Sequence, residues 1–202
     1  MRLSSFTLIL ALLPAFVAAQ YDVPSAPFSL VVLSDNSTLN GTLLYACHEG
    51  AAIEGLCVGG THDPAYNTYT HNTSSNAGEV NETLGAPGYL IWVLPGGTFN
   101  ESEALSLNVN PISNVALPLF WPGTEDSTSV AFDSNGLLNI QGYFDDRVVP
   151  IVGSTSYVAY YRWYVCSTYY EGYTYQTLAW ALGEFPPENP TCQSVSVKQV
   201  FL

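Results

Sequence analysis

The sequence predicts an all-β fold of about twelve short antiparallel strands, and three observations carry that prediction. Helical periodicity is nearly absent beyond residue 20. Short runs rich in Val, Ile, Thr, Tyr, Phe and Trp recur in its place. Turn residues separate the runs, at Asp35-Asn36, Pro95-Gly96-Gly97, Pro122-Gly123, Asp133-Ser134-Asn135-Gly136 and Pro186-Pro187.

Taken in order, residues 28–33, 41–47 and 53–58 are the first apolar runs, with a weak Asn40-Gly41 turn signal ahead of the second. Residues 68–72, 89–94, 105–109 and 116–121 follow, each rich in β-branched, aromatic or leucine side chains. Residues 129–132 and 137–141 flank Asn135-Gly136, and an Asn-Gly dipeptide between apolar runs is a strong hairpin signal. Residues 160–168, 177–182 and 194–200 complete the set. Strands in three hairpin-rich groups suit a β-trefoil-like arrangement, with a β-sandwich as the alternative. The polar stretch 72–86 reads as a long surface loop inside a single domain spanning 20–202.

The first residues predict export. Arg2 precedes an apolar run over 8–17, and Val17 and Ala19 place small residues at the −3 and −1 positions of a signal-peptidase site. A run of about ten residues is too short to cross a hydrocarbon core of ~30 Å. A cleaved signal peptide over 1–19 is expected, with Gln20 leading the mature chain. No later segment reaches about 18 uninterrupted apolar residues, and residues 198–202 lack the long apolar tail of a lipid-anchor signal. The expected location is outside the cell, in the medium or the cell wall. Asn36, Asn40, Asn72, Asn81 and Asn100 head Asn-X-Ser/Thr sequons, the acceptor sites for N-glycans.

Four cysteines, Cys47, Cys57, Cys166 and Cys192, predict two disulfides in an exported chain. Of the three connectivities, Cys47–Cys57 with Cys166–Cys192 closes short local loops. Once the leader is removed, Arg147, Arg162 and Lys198 are three strong cations against 17 acids, a net charge of −14. With no basic patch to displace counterions, nucleic acid and anionic membranes are excluded as partners. A monomer is expected.

Motifs for chemistry are sparse. His48, His62 and His71 match no helix-borne metal motif and read as surface loop residues, so neither metal nor cofactor is expected. No Gly-X-Ser-X-Gly elbow is present. Three close acid pairs, Glu101 with Glu103, Glu125 with Asp126, and Asp145 with Asp146, read as solvated turn charges, with Arg147 neutralising the last pair. No catalytic residue is assigned. Ten aromatic residues crowd the stretch 157–180. Most read as packing, whereas Tyr169, Tyr170, Tyr173 and Tyr175 flank Gly172 as loop rings suited to stacking on sugars.

Several segments carry a family resemblance. Pro27-Phe28-Ser-Leu-Val-Val-Leu33, Leu39-Asn40-Gly41-Thr-Leu-Leu44, Val130-Ala-Phe-Asp133 and Gly136-Leu-Leu138 resemble small secreted fungal proteins. Trp163-Tyr-Val-Cys166, Gly172-Tyr-Thr-Tyr-Gln176 and Asn189-Pro-Thr-Cys192 resemble the same group. That group is an uncharacterised domain family distantly similar to the phialide-associated cell-wall protein PhiA. The resemblance implies a non-enzymatic, secreted or wall-associated glycoprotein contacting wall polysaccharide. The competing expectations are an extracellular carbohydrate-active enzyme using an acid pair and an effector-like interaction protein.

Overall fold

The computed structural model describes residues 21–60, 63–77 and 80–202. The expected leader, 1–19, lies outside them. Among the described residues the chain forms fifteen strands and one 3-10 turn, Pro64–Asn67. β1 (Val23–Pro24), β2 (Phe28–Leu33), β3 (Leu44–Gly50), β4 (Ile53–Val58) and β5 (Thr70–Thr73) come first. β6 (Gly88–Pro95), β7 (Asn100–Val109), β8 (Val115–Pro122), β9 (Ser129–Phe132) and β10 (Leu138–Asp145) follow. β11 (Val152–Tyr160), β12 (Trp163–Tyr170), β13 (Tyr173–Ala181), β14 (Gln193–Ser194) and β15 (Ser196–Phe201) end the chain. No helix is long and apolar enough to cross a membrane.

The fold is all-β, and its strand pairs are antiparallel. Thirteen strands form one sheet along the path β11-β10-β9-β6-β7-β8-β4-β13-β12-β14, with β3 on β4 and β5 joining β1 to β6. This sheet curls into a half-barrel. β2 and β15 form a separate two-stranded ribbon, in register from Phe28 opposite Phe201 to Leu33 opposite Ser196. Pairings distant in sequence join the hairpins, since β4 bonds to β8 and β13 and β6 bonds to β9. Those long-range pairings build one continuous sheet.

The main core lies between the curled sheet and the ribbon. Phe28, Leu30, Val32 and Val197 enter from the ribbon and meet Leu56, Leu105, Phe120, Trp163 and Leu178 from the sheet. Alternation along each strand explains the choice of faces, since residues two apart point the same way. Trp163 is fully buried, and its Nε1 donates to the Leu138 carbonyl at 2.8 Å, the partner that a buried indole N–H requires. A second, smaller cluster of Val115, Leu117, Leu119, Cys166 and Ala179 covers the opposite face of β8, β12 and β13.

Both disulfides form with the expected pairing. Cys47–Cys57 joins β3 to β4 with Cα atoms 5.7 Å apart. Cys166–Cys192 ties β12 to the segment before β14 with Cα atoms 4.1 Å apart. Each closes a short loop and stabilises the fold by roughly 3 kcal/mol on the chain-entropy account.

Candidate functional site

The four candidate tyrosines belong to the β12–β13 hairpin, and they lie in strands instead of a loop. Glu171 and Gly172 alone make the turn, with φ of 45° and 100°. Positive φ at both central residues is what a tight two-residue hairpin needs, and Gly at the second accepts it without a Cβ penalty. The register then runs unbroken from Tyr170 opposite Tyr173 to Trp163 opposite Trp180.

That register decides which rings share a face. Tyr169 pairs with Thr174, while Tyr170 pairs with Tyr173 and Tyr175 with Thr168. Tyr170, Tyr173 and Tyr175 therefore occupy one face, and Tyr169 projects from the other, 69% exposed. Tyr170 is half-buried against the second cluster. Tyr173 and Tyr175 lie nearly parallel, 10° between planes and 6.0 Å between centroids. The His48 ring meets Tyr173 edge-on at 5.2 Å. The hairpin thus presents a short ring ladder on one side and a single open ring on the other.

Beside the ladder, β3 and the 3-10 turn enclose a cleft of about 260 Å³ lined by Tyr45, Ala46, Cys47, His48, Tyr66 and Tyr175. Its walls are held from several directions. Tyr45 faces Cys57 across the β3–β4 ladder, and Cys57 faces Thr177 of β13. The Thr177 and Thr168 hydroxyls are hydrogen-bonded at 2.7 Å. Tyr66 rides on the 3-10 turn, which Asp63 caps by accepting from the Ala65 N–H at 2.9 Å and which Pro64 opens. The Trp92 Nε1 donates to the Ala65 carbonyl at 2.9 Å, and the Trp92 and Tyr66 rings pack at 5.6 Å. The result is a fixed, aromatic, phenol-bearing cleft braced by a disulfide.

Behind this region lie three buried glutamates that reading the sequence did not single out as buried. Glu103, expected as a solvated turn charge, sits in β7 with no exposed surface, and Glu54 and Glu49 are nearly as enclosed. Burial is the main cause that raises all three carboxyls above the usual range. The Glu54 carboxyl beside it and the charge of Glu101 push Glu103 higher still, and Glu49 reaches about 7. The signal was present in strand parity. Glu54 shares alternation with Leu56 and Val58, and Glu103 with Leu105 and Leu107, all on the core side.

Glu49 occupies a particular notch. Its carboxyl lies with the Cys47 and Cys57 sulfurs within a 4.8 Å cluster. A side chain at Gly55 would put a Cβ 2.8 Å from Glu49 Oε1, so the glycine makes the room. Both sulfurs are engaged in the disulfide, so the cluster offers no thiolate and is not a metal centre.

The remaining candidates disperse. His48 is exposed on β3 and lines the cleft. His71, expected on a surface loop, is buried in β5, its Nε2 3.1 Å from the Val130 carbonyl and its pKa lowered chiefly by burial. His62 lies outside the described residues. Asp145 is clamped by Arg147 at 2.8 and 2.9 Å, which holds its carboxyl down to about 2, and Arg147 also reaches Glu184 at 3.0 Å. Glu125 and Asp126 are exposed at a separate cleft. Among the sequons, Asn40, Asn81 and Asn100 are exposed, whereas Asn36 and Asn72 are half-buried. The Asn36 Nδ2 donates to Gln193 Oε1 at 2.6 Å.

Residues 25–201 match the model of a family described as a domain of unknown function, DUF7907, and the chain belongs to that family. No curated protein and no solved structure matches it.

Proposed function

We propose that this member of the DUF7907 family is a secreted, N-glycosylated, non-enzymatic protein that binds cell-wall polysaccharide through its tyrosine cleft. The observation that carries the reading is the cleft of Tyr45, Tyr66 and Tyr175 beside the Tyr173–Tyr175 ladder. Phenol rings offer an apolar face for the C–H side of a pyranose and a hydroxyl for its polar rim. They lie on paired strands and a capped turn, so little ordering is needed when a ligand arrives. Tyr169 supplies a further open ring on the opposite side of the hairpin.

The non-enzymatic part rests on where the carboxyls are. A glycosidase needs two carboxyls at ~5 to 9.5 Å on either side of an accessible bond. Glu54 and Glu103 approach each other, but both are buried and neither lines the cleft. Asp145 is committed to Arg147. Extracellular location is supported by the two disulfides, the apolar leader and the exposed sequons at Asn40, Asn81 and Asn100.

The test is co-sedimentation of the mature protein with insoluble chitin, β-1,3-glucan and cellulose, with the supernatant assayed for released sugar. Binding to one polymer without sugar release is the expected result. Sugar release would replace the reading with a carbohydrate-active enzyme. Absence of both would leave an effector-like interaction protein.

A further inference from the structure

The chain has four tryptophans, and three of them are core residues: Trp92 and Trp163 are fully buried and Trp180 is 6% exposed. Trp121, at the end of β8, is half-exposed and lines a second cleft of about 320 Å³. Ser106 and Asn108 of β7 and Glu125 and Asp126 of the following loop line the same cleft. That volume lies in the range of small-ligand sites, and one flat ring with a few convergent polar groups is their usual composition.

The loop carrying the acids is fastened to β7 along its length. Gly123 N–H donates to the Ser102 carbonyl at 3.2 Å, and Ser106 Oγ donates to the Asp126 carbonyl at 2.8 Å. Thr128 N–H donates to the Leu105 carbonyl at 2.9 Å, and Leu107 N–H donates to Thr128 Oγ1 at 3.0 Å. Asp126 is held at φ 61°. The backbone of the loop that carries Glu125 and Asp126 is therefore fixed against β7 before any ligand binds.

Charge narrows the ligand class. No cation lines this cleft, and Arg147, Arg162 and Lys198 are the strong cations of the mature chain. An anionic ligand would meet two carboxylates with nothing to offset them. A protonated amine meets both carboxylates and the negative face of the indole together, the combination that binds ammonium groups well. An indole face also accepts the flat C–H side of a sugar ring. We propose that the Trp121 cleft is a second saccharide site, distinct from the tyrosine cleft, and selective for amino sugars that carry a free ammonium group.

The experiment is a titration of the mature protein with a β-1,4-linked glucosamine hexamer at pH 5.5, read by intrinsic tryptophan fluorescence. The fully N-acetylated hexamer and hexalysine serve as comparison probes. Trp121 is the open indole, so the glucosamine hexamer should give a saturable change that vanishes in Trp121→Phe. Glu125→Gln with Asp126→Asn should weaken binding at least tenfold, and Asn tolerates the positive φ at 126. The N-acetylated hexamer should bind at least tenfold more weakly. Equal binding of the two hexamers, or full binding by the double acid variant, would overturn the proposal. Hexalysine binding as tightly as the glucosamine hexamer would overturn the saccharide part. A thermal melt of each variant shows that a loss is not unfolding, and loss of the signal in Tyr175→Ala alone would transfer the site to the tyrosine cleft.

Discussion

Single carboxyl groups set much of this protein's response to pH. Glu49 is 2% exposed, and burial lifts its pKa from 4.5 to about 7. A carboxyl whose folded pKa is raised contributes stability that is fully present below its unfolded pKa and lost as pH rises through the folded value. Between pH 4.5 and 7 the fold should lose up to about 3 kcal/mol from this group. Glu49→Gln, which mimics the protonated acid, should flatten that part of the curve. Urea unfolding at pH 4.5 and at pH 7.5 measures it, and an unchanged difference between the two would remove Glu49 as the cause. The position of Glu49 was not legible in the sequence, because the register shift between His48 and Gly50 breaks the alternation there. Glu54 and Glu103 follow strand parity and were legible, yet reading Glu103 as a close pair with Glu101 hid its burial.

Elements show the same division. Turn chemistry located the hairpin at Asn135-Gly136, and the Asp133 carboxylate closes it by accepting from the Asn135 and Leu137 N–H groups at 2.8 and 2.9 Å. Strand ends were harder to place. β13 begins at Tyr173 and β7 at Asn100, both earlier than the apolar runs suggested, because backbone pairing extends through polar residues. β11 carries Gly153, Ser154 and Ser156 and gave no apolar run to find, but pairs with β10. Two predictions belong at this scale. Gly172→Ala should cost about 1 kcal/mol, because nothing crowds the position but its φ is 100°. Removing the Cys166–Cys192 bridge by double alanine substitution should cost roughly 3 kcal/mol. Chemical denaturation with both variants checks each figure, and a neutral Gly172→Ala would show that the turn relaxes.

At the scale of the molecule, the sheet gathers residues from distant parts of the sequence into two clefts. Tyr45, Tyr66 and Tyr175 come from β3, the 3-10 turn and β13, and no spacing rule joins them. That is why composition revealed an aromatic-rich chain while the site itself needed the fold. The charge of residues 20–202, three strong cations against 17 acids, acts in the same direction as the buried glutamates. Raising the pH ionises carboxylates that repel one another and that the core holds neutral. Asp22 and Asp145 have lowered values and act in the opposite sense, losing their contribution as pH falls. Stability should therefore be greatest on the acid side of neutrality, near pH 5, which thermal unfolding across pH 3 to 8 would show. The most direct test of the polysaccharide-binding account is a depletion isotherm on the wall polymer bound best by the mature protein, run beside a Tyr66→Ala, Tyr175→Ala variant of matched thermal stability. The account predicts at least a tenfold loss of affinity in that variant with no sugar released by either protein. Equal binding by the two would contradict it.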